Sequence, residues 1–212
     1  MTKIILIRHG QSLSNLQNTL TGQVNSPLTE LGLKQADLAC EYVIKNYTVD
    51  AVYSSDLSRA KETVAKISEH FNTPIITDPR LREIYSGKWD GQSFDYLMTL
   101  PQYTEWVSNM GVLKSDQGES FSDVYDRAVC ALNEIIEKHP NQTVAIGTHG
   151  GAIRCLQCYF AGKTTKDIYD IPWVPNASTT VVNYQDGKFN TELNGYCEYL
   201  GDMITVLSKT LK

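Results

Sequence analysis

No apolar run in this 212-residue chain approaches the roughly 18 residues of a membrane-spanning helix, and no basic segment followed by an apolar stretch opens it as a secretory leader would. The expectation is therefore a cytoplasmic protein with no membrane partner. An excess of basic residues is also missing. Lys and Arg number 19 against 24 Asp and Glu, for a net charge of -5, which argues against a nucleic-acid partner because such a surface needs a basic face. Any anion bound here must be held by a local cluster of cations. Cysteines are few: Cys40, Cys130, Cys155, Cys158 and Cys197 are odd in number and scattered, unlike a secreted disulfide framework. Cys155 and Cys158 form a C-x-x-C inside an apolar run with no second pair, and read as buried thiols rather than a redox or zinc site. Pro/Gly/Ser-rich linkers, repeats and low-complexity stretches are absent, so the chain reads as one domain over residues 1–212. With 42% hydrophobic and 20% charged residues, it has the apolar content to bury a substantial core.

What is present is an alternation of short β-rich runs with segments of helical period, the pattern of an α/β protein. Strands are expected at Lys3–Ile7, Ala51–Tyr53, Thr143–Gly147 and Thr179–Asn183, with a hairpin return over Lys188–Leu193 after Asp186-Gly187 and a short edge strand at Pro74–Thr77. A helix capped by Thr29 presents Leu31, Leu38 and Tyr42 at helical spacing; the next carries Ala60, Val64, Ile67 and Phe71, with Ser55 or Asp56 as its cap. A third begins at Ser120 with Asp123 three residues on, a capping-box pairing, above a stripe of Val124, Ala131 and Ile135; a fourth follows His149 through Tyr159. Residues 92–118 break the alternation and are rich in aromatics, as a small helical lid insertion would be.

Three strands deliver unusual side chains at their carboxyl ends, where open α/β sheets bind ligands. The apolar run Ile4–Ile7 passes straight into Arg8 and His9; "AVYSS" leads to a helix whose first turn holds Arg59; "TVAIG" leads to Thr148, His149 and the pair Gly150-Gly151. A guanidinium ending a core strand is costly unless an anion meets it. Two arginines and two histidines in one place fit a phosphoryl group, whose oxygens match planar guanidinium forks. Helix amino termini after Asp56 and after His149, with Gly150 there, could add backbone donors, and Asn15 an amide. Thr21, Gly22 and Gln23 suit either a substrate contact or a plain turn.

The stretches "LIRHGQSLSN", "SSDLSRAKET", "LREIYSGKWDG", "GESFSDVYDR" and "GTHGGAIR" resemble, in order and spacing, the motifs of the histidine phosphatase superfamily, the phosphoglycerate mutase-like proteins. The resemblance implies a three-layer α/β/α fold with a mostly parallel sheet. It makes His9 the nucleophile that forms a phosphohistidine, one ring nitrogen attacking while the other donates to a backbone carbonyl. Arg8, Arg59 and His149, with Asn15, would hold the phosphoryl oxygens, His149 serving best if protonated. Glu83 would protonate the leaving oxygen and then activate water. The implied activity is hydrolysis of a small-molecule phosphate monoester with no cofactor and no metal. A zinc site of His9, His149 and Glu83 is the rival, opposed by two adjacent arginines that would repel the cation. After Glu83 the chain departs from the N-E-R-x-Y-G pattern of cofactor-dependent mutases, and between Ile84 and Glu119 it has only Lys88 and Lys114 as cations, which favours the phosphatase branch. The alternatives are a phosphoglycerate mutase and a phospho-ligand-binding protein without turnover. Homodimer formation through the Thr179–Asn183 strand or the insertion is compatible with the pattern.

Overall fold

The computed structural model describes residues 1–205; residues 206–212, the end of the domain expected from sequence, lie outside the described residues. The first strand, β1 (Thr2–Arg8), alternates its side chains between the two faces of a sheet. Ile4 and Leu6 enter one apolar cluster and Ile5 and Ile7 another, which is why the run is apolar at every position and not at every second one. After the short helix α1 (Leu13–Leu16) come α2 (Glu30–Asn46), β2 (Ala51–Ser54), α3 (Ser58–Phe71) and β3 (Ile75–Thr77). Two small helices, α4 (Phe94–Leu97) and α5 (Pro101–Ser108), fill the segment that breaks the sequence alternation. They are followed by α6 (Phe121–Lys138), β4 (Thr143–Thr148), α7 (Gly150–Phe160) and the hairpin β5 (Thr179–Gln185) with β6 (Lys188–Tyr196).

Strand order is β3-β2-β4-β1-β5-β6. The first four strands run parallel, while β5 pairs antiparallel with β1 and β6 antiparallel with β5. One face of the sheet packs on α2 and α3 and the other on α6 and α7, giving the three layers. Register sets the strand ends level: Arg8 pairs with Thr148 and Ser54 with Gly147, so three consecutive strands finish at one edge.

Three local expectations are corrected. The buried face of α2 is Gly32, Gln35, Ala36, Ala39, Cys40 and Val43, and Leu31, Leu38 and Tyr42 are only half-buried. Small residues face inward because the helix runs close to the turn after β1; a Cβ on Gly10 would overlap the Gly32 carbonyl. The start of α3 lacks a side-chain cap. Asp56 is instead held by Arg82, Nε to Oδ1 at 2.6 Å, and Ser55 is engaged elsewhere. Finally, β5 is hydrogen-bonded on both sides, by β1 and β6, so that strand has no free edge through which a second copy could pair. The capping box of Ser120 and Asp123 and the cap at Thr29 are as the sequence predicts.

Candidate active site

Arg8 and His9 leave β1 at the point where the strand ends beside β4, and the His9 amide still donates to Thr148 O at 2.9 Å. His149 ends β4 as the residue before α7, and Arg59 lies in the first turn of α3. All four are sealed from solvent: Arg59 and His149 are 0% exposed, Arg8 2% and His9 3%. The two imidazoles lie with centroids 5.2 Å apart.

The arginines are held by neutral oxygens. Arg8 Nη1 donates to Val174 O at 2.5 Å, and Arg59 donates from Nη1 to Val24 O at 2.8 Å and from Nη2 to Gly22 O at 2.9 Å. Neither forms an ion pair among the described residues, and the Nε of each is buried without a partner. Burial, first of all, lowers both guanidinium pKa values to about 10, which leaves them charged at neutral pH. Glu83, and for Arg59 also Asp90, offset part of this lowering from a distance, but buried charges with no carboxylate in contact are expensive to maintain. This is the arrangement expected of a site that awaits an anion.

His9 Nδ1 lies 2.7 Å from Gly10 O. Since a carbonyl only accepts, Nδ1 carries the proton and Nε2 keeps its lone pair. Burial, then the charges of Arg59 and Arg8, push the His9 pKa well below its usual value, so the ring is neutral. Asn176 fixes this turn from the far side, Nδ2 donating to His9 O at 3.1 Å and to Asn15 Oδ1 at 3.2 Å. Asn15 Oδ1 also accepts from the Ser12 amide, so the donor end of Asn15 is the one left for a ligand.

His149 differs from its sequence expectation. Burial first, then Arg59 and His9, hold its pKa well below the usual value, so it is neutral and not the cation anticipated for binding oxygen. Its Nε2 lies 2.8 Å from Ser55 Oγ, and its buried Nδ1 has no partner. Ser55 Oγ already accepts from the Leu57 amide, at 3.3 Å, and its hydroxyl proton is free to go to Nε2. That leaves Nδ1–H as a donor on a neutral ring.

Glu83 reaches the amino end of α7: its Oε2 accepts from Gly151 N at 3.1 Å and its Oε1 from Ile84 N at 2.9 Å. A Cβ on Gly151 would overlap Oε1, so the second glycine of H-G-G is what admits the carboxylate. The backbone at Glu83 is clamped by Arg127, which donates to the carbonyls of Arg80, Arg82 and Glu83 and pairs with Glu119 at 2.8 Å. Glu119 and Arg127 are the two ends of the "GESFSDVYDR" stretch, whose spacing is thereby explained.

One cavity is lined by Arg8, His9, Asn15, Arg59 and Glu83 together with Thr21 and Gly22; of the expected site residues His149 and Gly150 are not in its lining, His149 packing behind His9 with ring centroids 5.2 Å apart. Gln23 does not serve it. Its amide donates to Glu83 O at 3.0 Å and accepts from Arg82 at 3.2 Å, which makes it a strut. The turn it belongs to is tied down by Asp90, whose Oδ2 accepts from Gln23 N at 2.9 Å; Gly22, at φ +49°, could not carry a Cβ beside that carboxylate. Gly150 lies close against Arg8 and Trp173, and a Cβ there would sit 3.3 Å from each. The helix amino ends expected to bind phosphate are otherwise engaged, α3 with Asn25 through Ser58 and α7 with Glu83. Sequence reasoning missed the roles of Ser55, Gly151 and Asn176, and of Ile84, Met110, Phe121 and Trp173 in the apolar wall, while Phe94 and Trp106 come from the aromatic-rich insertion it singled out. Ser55 and Gly151 stood inside quoted motifs; Asn176, Phe121 and Trp173 carry no local signal. Among the described residues no group of three His, Cys, Asp or Glu side chains is placed to hold a metal ion.

Comparison with known proteins gives the family and the fold. The chain is 35% identical over 198 residues to a metal-independent phosphoserine phosphatase of Arabidopsis thaliana, covering 89% of this chain and 79% of that one. It is 32% identical over 193 residues to a probable phosphoglycerate mutase of Yersinia pestis, covering 89% and 88%. The solved structure of Bacillus stearothermophilus YhfR superposes with a TM-score of 0.87 at 29% identity, covering 94% of this chain and all of that one, 100%. The profile of the histidine phosphatase superfamily (branch 1) matches residues 4–195, and the chain belongs to that family.

Proposed function

We propose that the protein hydrolyses small-molecule phosphate monoesters, without a metal, through a phosphohistidine on His9. The observation that carries this reading is the meeting of two buried arginines without an ion-pair partner among the described residues, an imidazole with a free Nε2 and a carboxyl group in one cavity. In the first step the Nε2 lone pair attacks phosphorus while the bond to the ester oxygen breaks, and that oxygen takes the proton of the Glu83 carboxyl group. Nδ1–H stays on Gly10 O and disperses the positive charge that develops on the ring. Arg8, Arg59, Asn15 and the Nδ1–H of His149 bind the phosphoryl oxygens as charge redistributes. In the second step water attacks phosphorus, Glu83 takes its proton, the P–N bond breaks, and inorganic phosphate leaves neutral His9 behind.

Hydrolysis is favoured over mutase chemistry because a mutase must hold a second anionic group while it turns the substrate around. The cations near the cavity other than Arg8 and Arg59 are already engaged: Arg82 by Asp56, Arg127 by Glu119, and Arg154 by Ile171 O and the Trp173 ring. Residues 92–118 form the lid in this reading. Five unpaired cysteines suit a reducing compartment, the cytoplasm. Among the described residues no helix is long and apolar enough to cross a membrane. The test is phosphate release from a simple monoester together with rapid-quench trapping of an acid-labile, alkali-stable phosphoenzyme. Both should be present in the wild type and absent in His9→Ala, whereas phosphate release by His9→Ala at the wild-type rate would refute the mechanism.

A further inference from the structure

The wall of the cavity is as informative as its floor. The apolar part of the lining is Ile84, Phe94, Trp106, Met110, Phe121 and Trp173, drawn from the insertion, the start of α6 and the segment before β5, with Trp173 closest to Arg8 across Gly150. The wall is also fixed in place. Trp106 lies tilted against Phe121 with centroids 6.1 Å apart, Phe121 meets Trp173 edge-on at 6.2 Å, and Arg154 lies over the Trp173 ring at 4.6 Å. The polar lining near this wall is Thr19 and Thr21, neither of which is charged. Among the described residues the charged side chains in the lining are Arg8, Arg59 and Glu83; in the phosphatase reading the arginines take the phosphoryl group and Glu83 the ester oxygen.

We infer that this site selects monoesters whose leaving group is uncharged and apolar, and discriminates against esters that carry a carboxylate. The inference rests on the phosphatase reading and adds the substrate class. A carboxylate on the leaving group would be taken from water into a wall that offers it no cation. It would also lie on the side of Glu83, another carboxylate, and such a desolvation without a partner is strongly unfavourable. An alkyl or aryl group in the same place exchanges water for aromatic and thioether contacts. The printed names of the relatives, a phosphoserine phosphatase and a phosphoglycerate mutase, refer to carboxylate-bearing substrates, so this chain is assigned a different preference from theirs.

The experiment uses primary alkyl phosphates of increasing length, ethyl, butyl and hexyl, whose leaving-group basicity is nearly constant, so that chain length reports only on binding to the wall. Full-length wild-type enzyme should show kcat/KM rising about four-fold per methylene until the wall is filled. Phosphoserine and 3-phosphoglycerate should fall at least ten-fold below butyl phosphate. Thr19→Arg, which places a cation on a half-buried lining position, should raise kcat/KM for 3-phosphoglycerate and lower it for hexyl phosphate. Calorimetric binding of the same esters to His9→Ala reads the wall without turnover and should show the same slope in Kd. A flat chain-length dependence in both measurements, or a preference for phosphoserine or 3-phosphoglycerate, overturns the inference and leaves the phosphatase reading intact. A binding slope without phosphate release from any ester would uphold the wall and refute the phosphatase reading.

Discussion

The perturbation that best isolates the acid-base step is Gly151→Ala, one methyl group added outside the phosphate clamp. Gly151 donates its amide to Glu83 Oε2 at 3.1 Å, and a Cβ at this position would overlap Oε1 and lie 3.2 Å from Cδ and from the Phe121 ring. To regain van der Waals separation the carboxylate must retreat by on the order of 1 Å. The Arg127 clamp on the Glu83 carbonyl keeps the backbone from following. A displacement of that size costs roughly 100-fold in a positioned proton transfer, within the range of about 10² to 10⁴ that general acid-base catalysis supplies. The helix preference of Ala over Gly, about 1 kcal/mol in a helix interior, opposes the crowding against the Phe121 ring, and a urea titration of the variant checks that it is folded. For an alkyl phosphate kcat should therefore fall about 100-fold. For p-nitrophenyl phosphate, whose leaving oxygen needs no proton, the first step should survive while hydrolysis of the phosphoenzyme is slowed, so stopped-flow traces should show a burst of one nitrophenolate per active site. A folded Gly151→Ala enzyme that turns over alkyl phosphates within about three-fold of wild type, with no burst, would refute the assignment of Glu83.

Two further outcomes follow from the histidines. Ser55→Ala should lower kcat/KM by roughly ten-fold, the worth of one hydrogen bond of about 1 to 1.5 kcal/mol, and move the His149 proton from Nδ1 toward Nε2; Ser55→Thr should restore both, and ¹⁵N chemical shifts of the imidazole unchanged in Ser55→Ala would count against the tautomer assignment. Stability should fall as pH is lowered below about 6.5: with folded-state pKa values of His9 and His149 held down by burial and the arginines, the unfolded chain binds protons there and the native state does not. The slope is on the order of 1.4 kcal/mol per pH unit for each histidine; His149→Gln should reduce it in urea titrations at pH 7 and 5.5, and midpoints that rise on acidification would contradict the burial argument.

Much of the catalytic floor was legible in the sequence, because strand ends are set by local pattern and the sheet register then brings them together without further information. Arg8, His9 and His149 are of this kind, Arg59 follows in the first turn of the helix after β2, and Glu83 stands near the start of its motif. What was not legible depends on which partner reaches a group first. Ser55 reads as a helix cap until His149 is seen to take it, and Gln23 reads as a substrate contact until Glu83 and Arg82 take both ends of its amide. The α2 stripe misled because Leu, Leu and Tyr outweigh Ala and Gly in any hydrophobic count, whereas a helix pressed against a tight turn is chosen for small size. The free edge suggested for β5 failed for a topological reason, since neither its composition nor its length tells that the hairpin folds outward from β1.

Charge separates the arginines of the clamp from most of those around it. Three arginines of this region that serve the scaffold meet carboxylates, Arg82 with Asp56, Arg80 with Asp78 and Glu134, Arg127 with Glu119, while Arg154 rests on Ile171 O and the Trp173 ring. Arg8 and Arg59 are oriented as firmly, but by carbonyl oxygens of Val174, Gly22 and Val24, which fix direction and cancel no charge. A carboxylate in either place would have neutralised the guanidinium and made an entering phosphoryl group compete for it. Carbonyls impose the geometry and leave the positive field intact, so the cost of burying two cations is carried by the empty enzyme and relieved when the anion arrives. The neutral state of both histidines belongs to the same field. The arginines that suppress their protonation keep Nε2 of His9 available as a nucleophile, and only the negative charge of the substrate offsets that suppression.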